Sequence, residues 1–214
     1  MAHSRCIRSR CLLMLAAFLV VVGVMMPLLS GTSFAKSTTP LRPATSSAKS
    51  WNIVSSPNQT SNNDNLSDVV AVSASDVWAV GTYFGNGGNP HTLIEQWNGT
   101  SWSIVASPNQ GVRANLLYGV ASVSANNIWA VGEYTDSNTI RHTLIEHWNG
   151  TKWSIVASPN QGTNNNQLSG VVAVSVNNIW AVGNYLNGSG IPQTLVEHWN
   201  GTSWSIVASP NQGT

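Results

Sequence analysis

From Trp51 onward, apolar and polar residues alternate in short runs separated by Gly, Asn and Pro. Around the last full repeat these runs are "LSGVVAVS" (168–175), "IWAVGNY" (179–185), "TLVEHW" (194–199) and "SWSIVASP" (203–210). Alternation with a period of two, in segments rich in β-branched and aromatic side chains, predicts half-buried strands, named a, b, c and d in that order. No stretch sustains a helical period. The same runs recur upstream at a strict interval of 51 residues. Trp51, Trp102, Trp153 and Trp204 form one column, Trp78, Trp129 and Trp180 a second, and Trp97, Trp148 and Trp199 a third, which together hold all 10 tryptophans. An indole recurring in register is first of all a packing residue.

The repeats run 51–101, 102–152 and 153–203, with a partial one at 204–214. They supply three sets of strands a to d, preceded by one lone strand d at 51–57. Strands c and d are joined by Asn-Gly at 98–99, 149–150 and 200–201. That pair predicts a two-residue type I′ hairpin turn with positive φ at both positions. Such a turn sets Trp97 opposite Thr100, Glu95 opposite Trp102 and Leu93 opposite Ile104. One face of the sheet then carries bulky residues, and the other carries Thr92, Ile94, Gln96, Ser101, Ser103 and Val105, as stacked sheets require. Four antiparallel strands in about 50 residues, repeated, is the signature of β-propeller blades. The fold class expected is all-β, a β-propeller-type array of three full four-stranded blades plus one extra outer strand. Propellers usually have about four to eight blades. Either two chains close a six-bladed ring, with a spare strand d available for swapping, or the array is a shortened one whose exposed sheet invites association. A β-solenoid is a third arrangement.

The 51-residue period resembles that of kelch-type propellers, and "WNGTSW" (97–102) resembles the hairpin of the bacterial Asp-box propellers. The kelch glycine doublet is missing after the hydrophobic strand, with only Gly87–Gly88 elsewhere, and the Asp-box order of Ser, Asp, Gly, Thr and Trp is not met. Residues 51–214 as a whole resemble secreted bacterial arrays built from such units, matched here by "LIEQWNGTSWSIVASP" at 93–108. The resemblance implies a fold and carries no activity with it.

Ahead of the repeats, Arg5, Arg8 and Arg10 precede the apolar run "CLLMLAAFLVVVGVMMPLLS" (11–30) and the small-residue exit "SFA" (33–35). This is the pattern of a signal peptide, 1–35, cleaved after Ala35. The alternative is an uncleaved membrane anchor, since about 20 apolar residues span a bilayer. No "RR" pair is present, which favours general secretion. Residues 36–50, "KSTTPLRPATSSAKS", read as a Ser/Thr/Pro-rich linker. Cleavage removes Cys6 and Cys11, so the mature chain forms no disulfide, and leaves six basic and eight acidic side chains, a net charge of −2. Without a basic stripe to displace counterions, a nucleic-acid partner is excluded.

In an up-and-down sheet the a–b and c–d turns share one end, and the b–c and d–a loops share the other. The first end hardly varies: "SASD", "SANN" and "SVNN", then "NGTS", "NGTK" and "NGTS". The second varies: "TSNNDN", "GVRANL" and "GTNNNQ", then "TYFGNGGNPH", "EYTDSNTIRH" and "NYLNGSGIPQ". Diversified loops on a fixed scaffold are where a binding surface is built, although drift in unpacked loops gives the same pattern. The candidate ligand-binding residues are therefore Tyr83, Tyr134 and Tyr185 at the end of strand b, Asn63, Arg113 and Asn165 in the d–a loops, and Arg141 and His142 in a b–c loop. Amides and aromatic planes suit neutral, hydroxyl-rich ligands such as glycans.

Catalytic signals are thin. Glu95, Glu146 and Glu197 recur one per repeat, unpaired with a second carboxylate as glycoside chemistry requires, and are expected to accept an indole or backbone N–H. His147 and His198 share a column with Gln96, and His91 and His142 share one with Gln193, which argues against metal ligation. Asp64 in "SNNDN" is a single carboxylate where calcium needs several oxygens. No "GxSxG", "HExxH" or P-loop occurs. Six sequences match the N-glycosylation pattern: "NGT" three times, "NQT", "NLS" and "NGS". The expectation is a secreted, non-catalytic recognition module without metal or cofactor, binding a glycan or cell-surface ligand at the variable rim. It carries the possibility of a homo-oligomer that closes the ring, and of membrane attachment only where the first segment is retained. A structural or protein-interaction array is the alternative, and a propeller hydrolase or lyase the third.

Overall fold

Residues 50–60 and 63–212 are described by a computed structural model. The segment expected to be a signal peptide, 1–35, and the expected linker up to residue 49 lie outside the described residues. The chain divides into Met1–Lys49 and Ser50–Thr214, and the described residues all belong to the second unit.

Strands a to d of the first blade are β1 (Asp64–Ser73), β2 (Asp76–Phe84), β3 (Pro90–Trp97) and β4 (Trp102–Ile104). The second blade holds β5 (Ala114–Ser124), β6 (Asn127–Thr135), β7 (Arg141–Trp148) and β8 (Trp153–Ile155). The third holds β9 (Asn166–Ser175), β10 (Asn178–Leu186), β11 (Pro192–Trp199) and β12 (Trp204–Ile206). Each blade is a separate four-stranded antiparallel meander in chain order. Neighbouring blades stack with their first strands adjacent, β5 lying against β1 on one side and β9 on the other. This is the all-β, propeller-type array of blades that the repeat implies.

Two local expectations need correction. The c–d connection is a four-residue loop, and Trp97 faces Trp102 while Glu95 faces Ile104. The cause is the asparagine side chain. Asn98 Oδ1 accepts the backbone N–H of Thr100 and of Ser101 (2.9 Å each). Asn149 and Asn200 repeat the arrangement. Only the glycine of each pair takes positive φ (93°, 94° and 96°). A side-chain turn thus displaces the type I′ backbone turn. The slip is by an even number of residues, so every side chain keeps its predicted face.

Strand d is also shorter than the run "SWSIVASP". After Val105, whose N–H donates to Ile94 O (2.8 Å), the chain leaves the ladder towards Pro108, which has no N–H to give. The vacated partner on strand c is served by a side chain instead: Thr92 N donates to Asn109 Oδ1 (3.0 Å), Thr143 N to Asn160 Oδ1 (2.9 Å) and Thr194 N to Asn211 Oδ1 (2.8 Å). A "SPNQ" tail therefore follows each strand d, pinned to its own blade by Asn. The extra outer-strand sequence at 51–57 pairs with no strand among the described residues, and Trp51 is fully exposed.

Strand a bulges where it meets the glycine of strand b. Pairing skips a residue between Leu66 and Asp68 and between Leu117 and Gly119. A Cβ on Gly81, Gly132 or Gly183 would stand 1.9 Å from the carbonyl oxygen of Asn65, Leu116 or Gln167. Glycine is required there for close approach of the backbone.

The core lies between blades. At the first junction Trp78, Val80 and Ile94 of blade 1 meet Leu117, Ile128, Leu144 and Trp153 of blade 2. At the second, Trp129, Val131 and Ile145 meet Leu168, Ile179, Leu195 and Trp204. Each blade thus presents a forward face with the strand-b tryptophan and a rear face with the strand-c and strand-d tryptophans. Packing is the role found for the indoles of these columns at both junctions.

Candidate functional site

The two ends of the blades separate as the alternation requires. The c–d glycines lie against the a–b turns, Gly150 beside Asn126 and Gly201 beside Asn177. At the opposite end b–c and d–a loops bond to one another. Phe84 N donates to Asn63 O (3.3 Å), Leu186 N to Asn165 O (2.8 Å) and Arg141 N to Asn165 Oδ1 (2.9 Å).

Within this variable end, one cleft recurs at the same positions in blades 1 and 3. In blade 1 it is lined by Gln59, Tyr83, Thr92, Leu93, Ser107 and Asn109, with a volume of about 310 Å³. In blade 3 the counterparts are Gln161, Tyr185, Thr194, Leu195, Ser209 and Asn211, around about 470 Å³. The cleft lies where the pinned tail of one blade passes the end of strand b, and the preceding tail supplies the glutamine. Its floor is aliphatic. Its walls carry one tyrosine ring, two hydroxyls and two amides, with no charged side chain. Thr92 Oγ1 and Ser107 Oγ lie 2.6 Å apart, and Asn109 Oδ1 is committed to Thr92 N. In blade 2 the corresponding Gln110 and Tyr134 are hydrogen-bonded to each other.

The rim residues singled out from sequence fall into two groups. Tyr83 and Tyr185 line the clefts. Tyr134, Arg141, His142 and Asn165 come together on blade 2, where most are engaged with protein. Tyr134 stacks on His142 with ring centroids 5.0 Å apart, and His142 Nε2 lies 3.1 Å from Asp136 Oδ2. That histidine contact, with the backbone N–H groups of Ile140 and Asn138, holds the Asp136 carboxyl below its usual range. Arg141 forms an ion pair with Glu133 (3.3 Å). Arg113 is exposed and joins neither group, and Asn63 contributes its backbone carbonyl.

Sequence reasoning missed the buried cluster beneath Arg141. Burial pushes the Glu133 carboxyl up, opposed by Arg141 and by the Tyr118 hydroxyl. Tyr118 is itself pushed up to about 12, by burial first and then by Glu133. The signal was present as departures from the repeat: Tyr118 stands where the other blades have Ser67 and Ser169, Glu133 where they have Thr82 and Asn184, and Arg141 where they have Pro90 and Pro192. Three substitutions confined to one blade meet at one point.

The recurring glutamates are buried, Glu146 and Glu197 at the two blade junctions and Glu95 on the rear face of blade 1, and where they have a side-chain partner it is a serine rather than an indole. Ser56 Oγ bonds to Glu95 Oε2 (2.6 Å) and Ser158 Oγ to Glu197 Oε2 (2.7 Å), each serine coming from the preceding tail. Glu146 has no such bond, and neither do the indole N–H groups of Trp153 and Trp204. Burial alone pushes Glu146 up to about 8, and burial outweighs the Ser158 bond to bring Glu197 to about 7. Each carboxyl belongs to a different blade. His147 and His198 face the asparagines of the a–b turns, Asn127 and Asn178, at 3.0 Å, where in blade 1 Gln96 donates to Asp76. Asp64 accepts backbone N–H groups from Gln59 and Thr60, a turn-capping role taken in the other blades by Asn115 and Asn166. Among the described residues no group of three His, Cys, Asp or Glu side chains converges as a metal site would require.

No family model matches the chain, and no curated protein matches it. Solved structures do resemble it. One is YCF48 bound to D1 peptide, at 12% identity and a TM-score of 0.42, over 70% of this chain and 41% of that one. Another is a fucose lectin from Kordia zhangzhouensis in complex with methyl-fucoside, at 15% identity and a TM-score of 0.45, over 67% of this chain and 98% of that one.

Proposed function

We propose that the chain is an exported, non-catalytic recognition module that binds a neutral, hydroxyl-rich ligand of the glycan class in the tyrosine clefts of its variable rim. The observation that carries this reading is the recurrence, in blades 1 and 3, of one uncharged cleft pairing an aromatic ring with an aliphatic floor and surrounding hydroxyls and amides. A sugar offers the complement: an apolar C–H face to lie on the ring, and hydroxyls that both donate and accept. The donor N–H groups of Asn109 and Asn211 suit such a ligand, because their oxygens are already used by Thr92 and Thr194. Charged ligands find no counter-ion in the cleft, and the buried glutamates lie one to a blade.

The test is a glycan array probed with the full chain, followed by calorimetry on the best neutral glycan. Tyr185→Ala and Tyr83→Ala are expected to weaken binding at their sites at least about tenfold, roughly 1.4 kcal/mol, with the unfolding midpoint used to check that each variant is folded. Tyr185→Phe separates stacking from hydroxyl bonding. Absence of saturable binding to any neutral glycan, or binding unchanged in the Tyr83→Ala/Tyr185→Ala double variant, defeats the reading.

A further inference from the structure

Both blade junctions are built from the same two faces at the same spacing. Trp78 lies 4.9 Å from Trp148 and 5.6 Å from Trp153, ring centroid to ring centroid, and Trp129 lies 4.9 Å from Trp199 and 5.6 Å from Trp204. Among the described residues a third half of each kind stands without a partner blade. Blade 3 presents the forward face with Trp180. On it Val182 is 50% exposed where its counterparts Val80 and Val131 are 0% exposed. Blade 1 presents the rear face with Trp97 and Trp102, whose rings are already set 5.8 Å apart, as the covered pairs are at 5.9 and 6.0 Å. Leu66 on that face is 40% exposed where Leu117 and Leu168 are 0% exposed. The forward face carries no charged side chain, and beside Leu66 and Trp102 on the rear face the exposed Asp68 has its carboxylate engaged by the backbone N–H groups of Val69 and Val120. Two preformed, complementary apolar halves on one chain fit each other in a second copy, head to tail.

The lone outer-strand phrase decides how they meet. At the second internal junction, the tail serine of the preceding blade bonds to the glutamate of the next, Ser158 to Glu197. On blade 1 that seat is already taken by Ser56, bonded to Glu95, with Gln59 and Thr60 fastened to Asp64. The tail half of the phrase at 51–60 is thus docked as a preceding blade's tail would be, while its strand half, Trp51–Val54, is bare. A blade arriving there needs strands a, b and c and lacks use for its own d. Blade 3 brings β12, whose tail would set Ser209 on the seat that Ser56 holds. The two phrases are nearly identical, "WNIVSSPNQ" and "WSIVASPNQ", and β12 pairs with β11 through three residue pairs, followed by the bonds of Val207 N to Val196 O and of Thr194 N to Asn211 Oδ1.

We propose that blade 3 of a second copy packs on the rear face of blade 1, and that its β11 exchanges β12 for Trp51–Val54 of the first copy. By the register of β12, Trp51 then faces Trp199, Asn52 faces His198 and Ile53 faces Glu197 of the second copy. Two such junctions between two copies use every uncovered face.

The test uses the full chain with Cys6→Ser and Cys11→Ser, carrying Asn52→Cys and His198→Cys. Exchange places these two cysteines opposite each other on adjacent strands, within disulfide reach. Oxidation is expected to give a species of twice the chain mass on a non-reducing gel, and light scattering of the chain without the added cysteines is expected to give two chains. Ser205→Cys with His198→Cys ties β12 in place and is expected to block the exchange, leaving a monomer. Val182→Lys, which touches neither internal junction, is expected to do the same. A monomeric mass at tens of micromolar overturns the proposal. A two-chain particle without the Asn52→Cys cross-link overturns the strand exchange, and a Val182→Lys particle that stays dimeric overturns the docking face.

Discussion

Replacing Glu146 by glutamine removes a titrating group from the centre of the array without changing its shape. Glu146 is fully buried on β7, facing the junction between blades 1 and 2, and neither of its carboxyl oxygens has a hydrogen-bond partner. Its equivalents have the tail serine, but Ser107, which would serve Glu146, lies 2.6 Å from Thr92 Oγ1 instead. Burial therefore pushes the carboxyl up from 4.5 to about 8. The folded chain holds this proton more tightly than the unfolded chain, so the stabilisation is complete below about pH 4.5 and is lost progressively until the pH passes about 8. At about 1.4 kcal/mol per tenfold change in proton affinity, the loss is on the order of 5 kcal/mol, a large part of the total of about 5–15 kcal/mol typical of a domain. Glu197, brought to about 7, adds to the slope in the same direction. Urea unfolding followed by tryptophan fluorescence at pH 5 and pH 8.5 measures it. The wild type is expected to lose several kcal/mol between the two, and Glu146→Gln to differ little from it at pH 5 but to exceed it in stability by on the order of 4 kcal/mol at pH 8.5. If both chains show the same pH slope, the neutral buried carboxyl is refuted.

The remaining expectations concern backbone. Gly132→Ala would set a Cβ 1.9 Å from Leu116 O, which only movement of strand a can relieve; a loss of about 3 kcal/mol is expected in urea unfolding, with no effect from Gly188→Ala, whose surroundings are open within 4 Å. Thr139 has φ 66° where the corresponding Gly88 and Gly190 have 77° and 76°. A β-branched residue there is strained, so Thr139→Gly is expected to raise stability by about 1 kcal/mol, and an unchanged or lower midpoint would contradict that.

What was legible in the sequence was whatever a single repeat decides for itself. Alternation located strands a, b and c within a few residues, and parity placed the loops at opposite ends. What was hidden belonged to contacts between repeats, or to a side chain outcompeting the backbone. The Asn98 carbonyl captures two N–H groups, so the loop closes over four residues although Asn-Gly allows two. The partner of Glu197 is Ser158, 39 residues upstream on the tail of the previous blade, where no cross-strand pattern points. The cluster of Tyr118, Glu133 and Arg141 was visible only as three departures from the repeat, and nothing short of the fold says that they meet. Tyr83 and Tyr185 could be named from their place at the end of strand b, but the cleft needed the tail, which pattern had assigned to strand d.

The tail also accounts for the phrase that recurs once more than the blades do. In "WSIVASPNQ" the first half pairs with strand c of its own blade, Trp153 opposite Trp148. The second half works on two blades at once: Asn160 holds Thr143 of its own blade, while Ser158 reaches Glu197 of the next. The phrase as a whole therefore bonds to two sheets, which ties it to the scaffold. Each blade then takes a tail from one phrase and its outer strand d from the next, so three blades require four phrases. The phrase at 51–60 is the first of these, docked on blade 1 by its tail while its strand half stands in solvent. The one phrase without a sheet of its own is therefore the element through which the array can be extended.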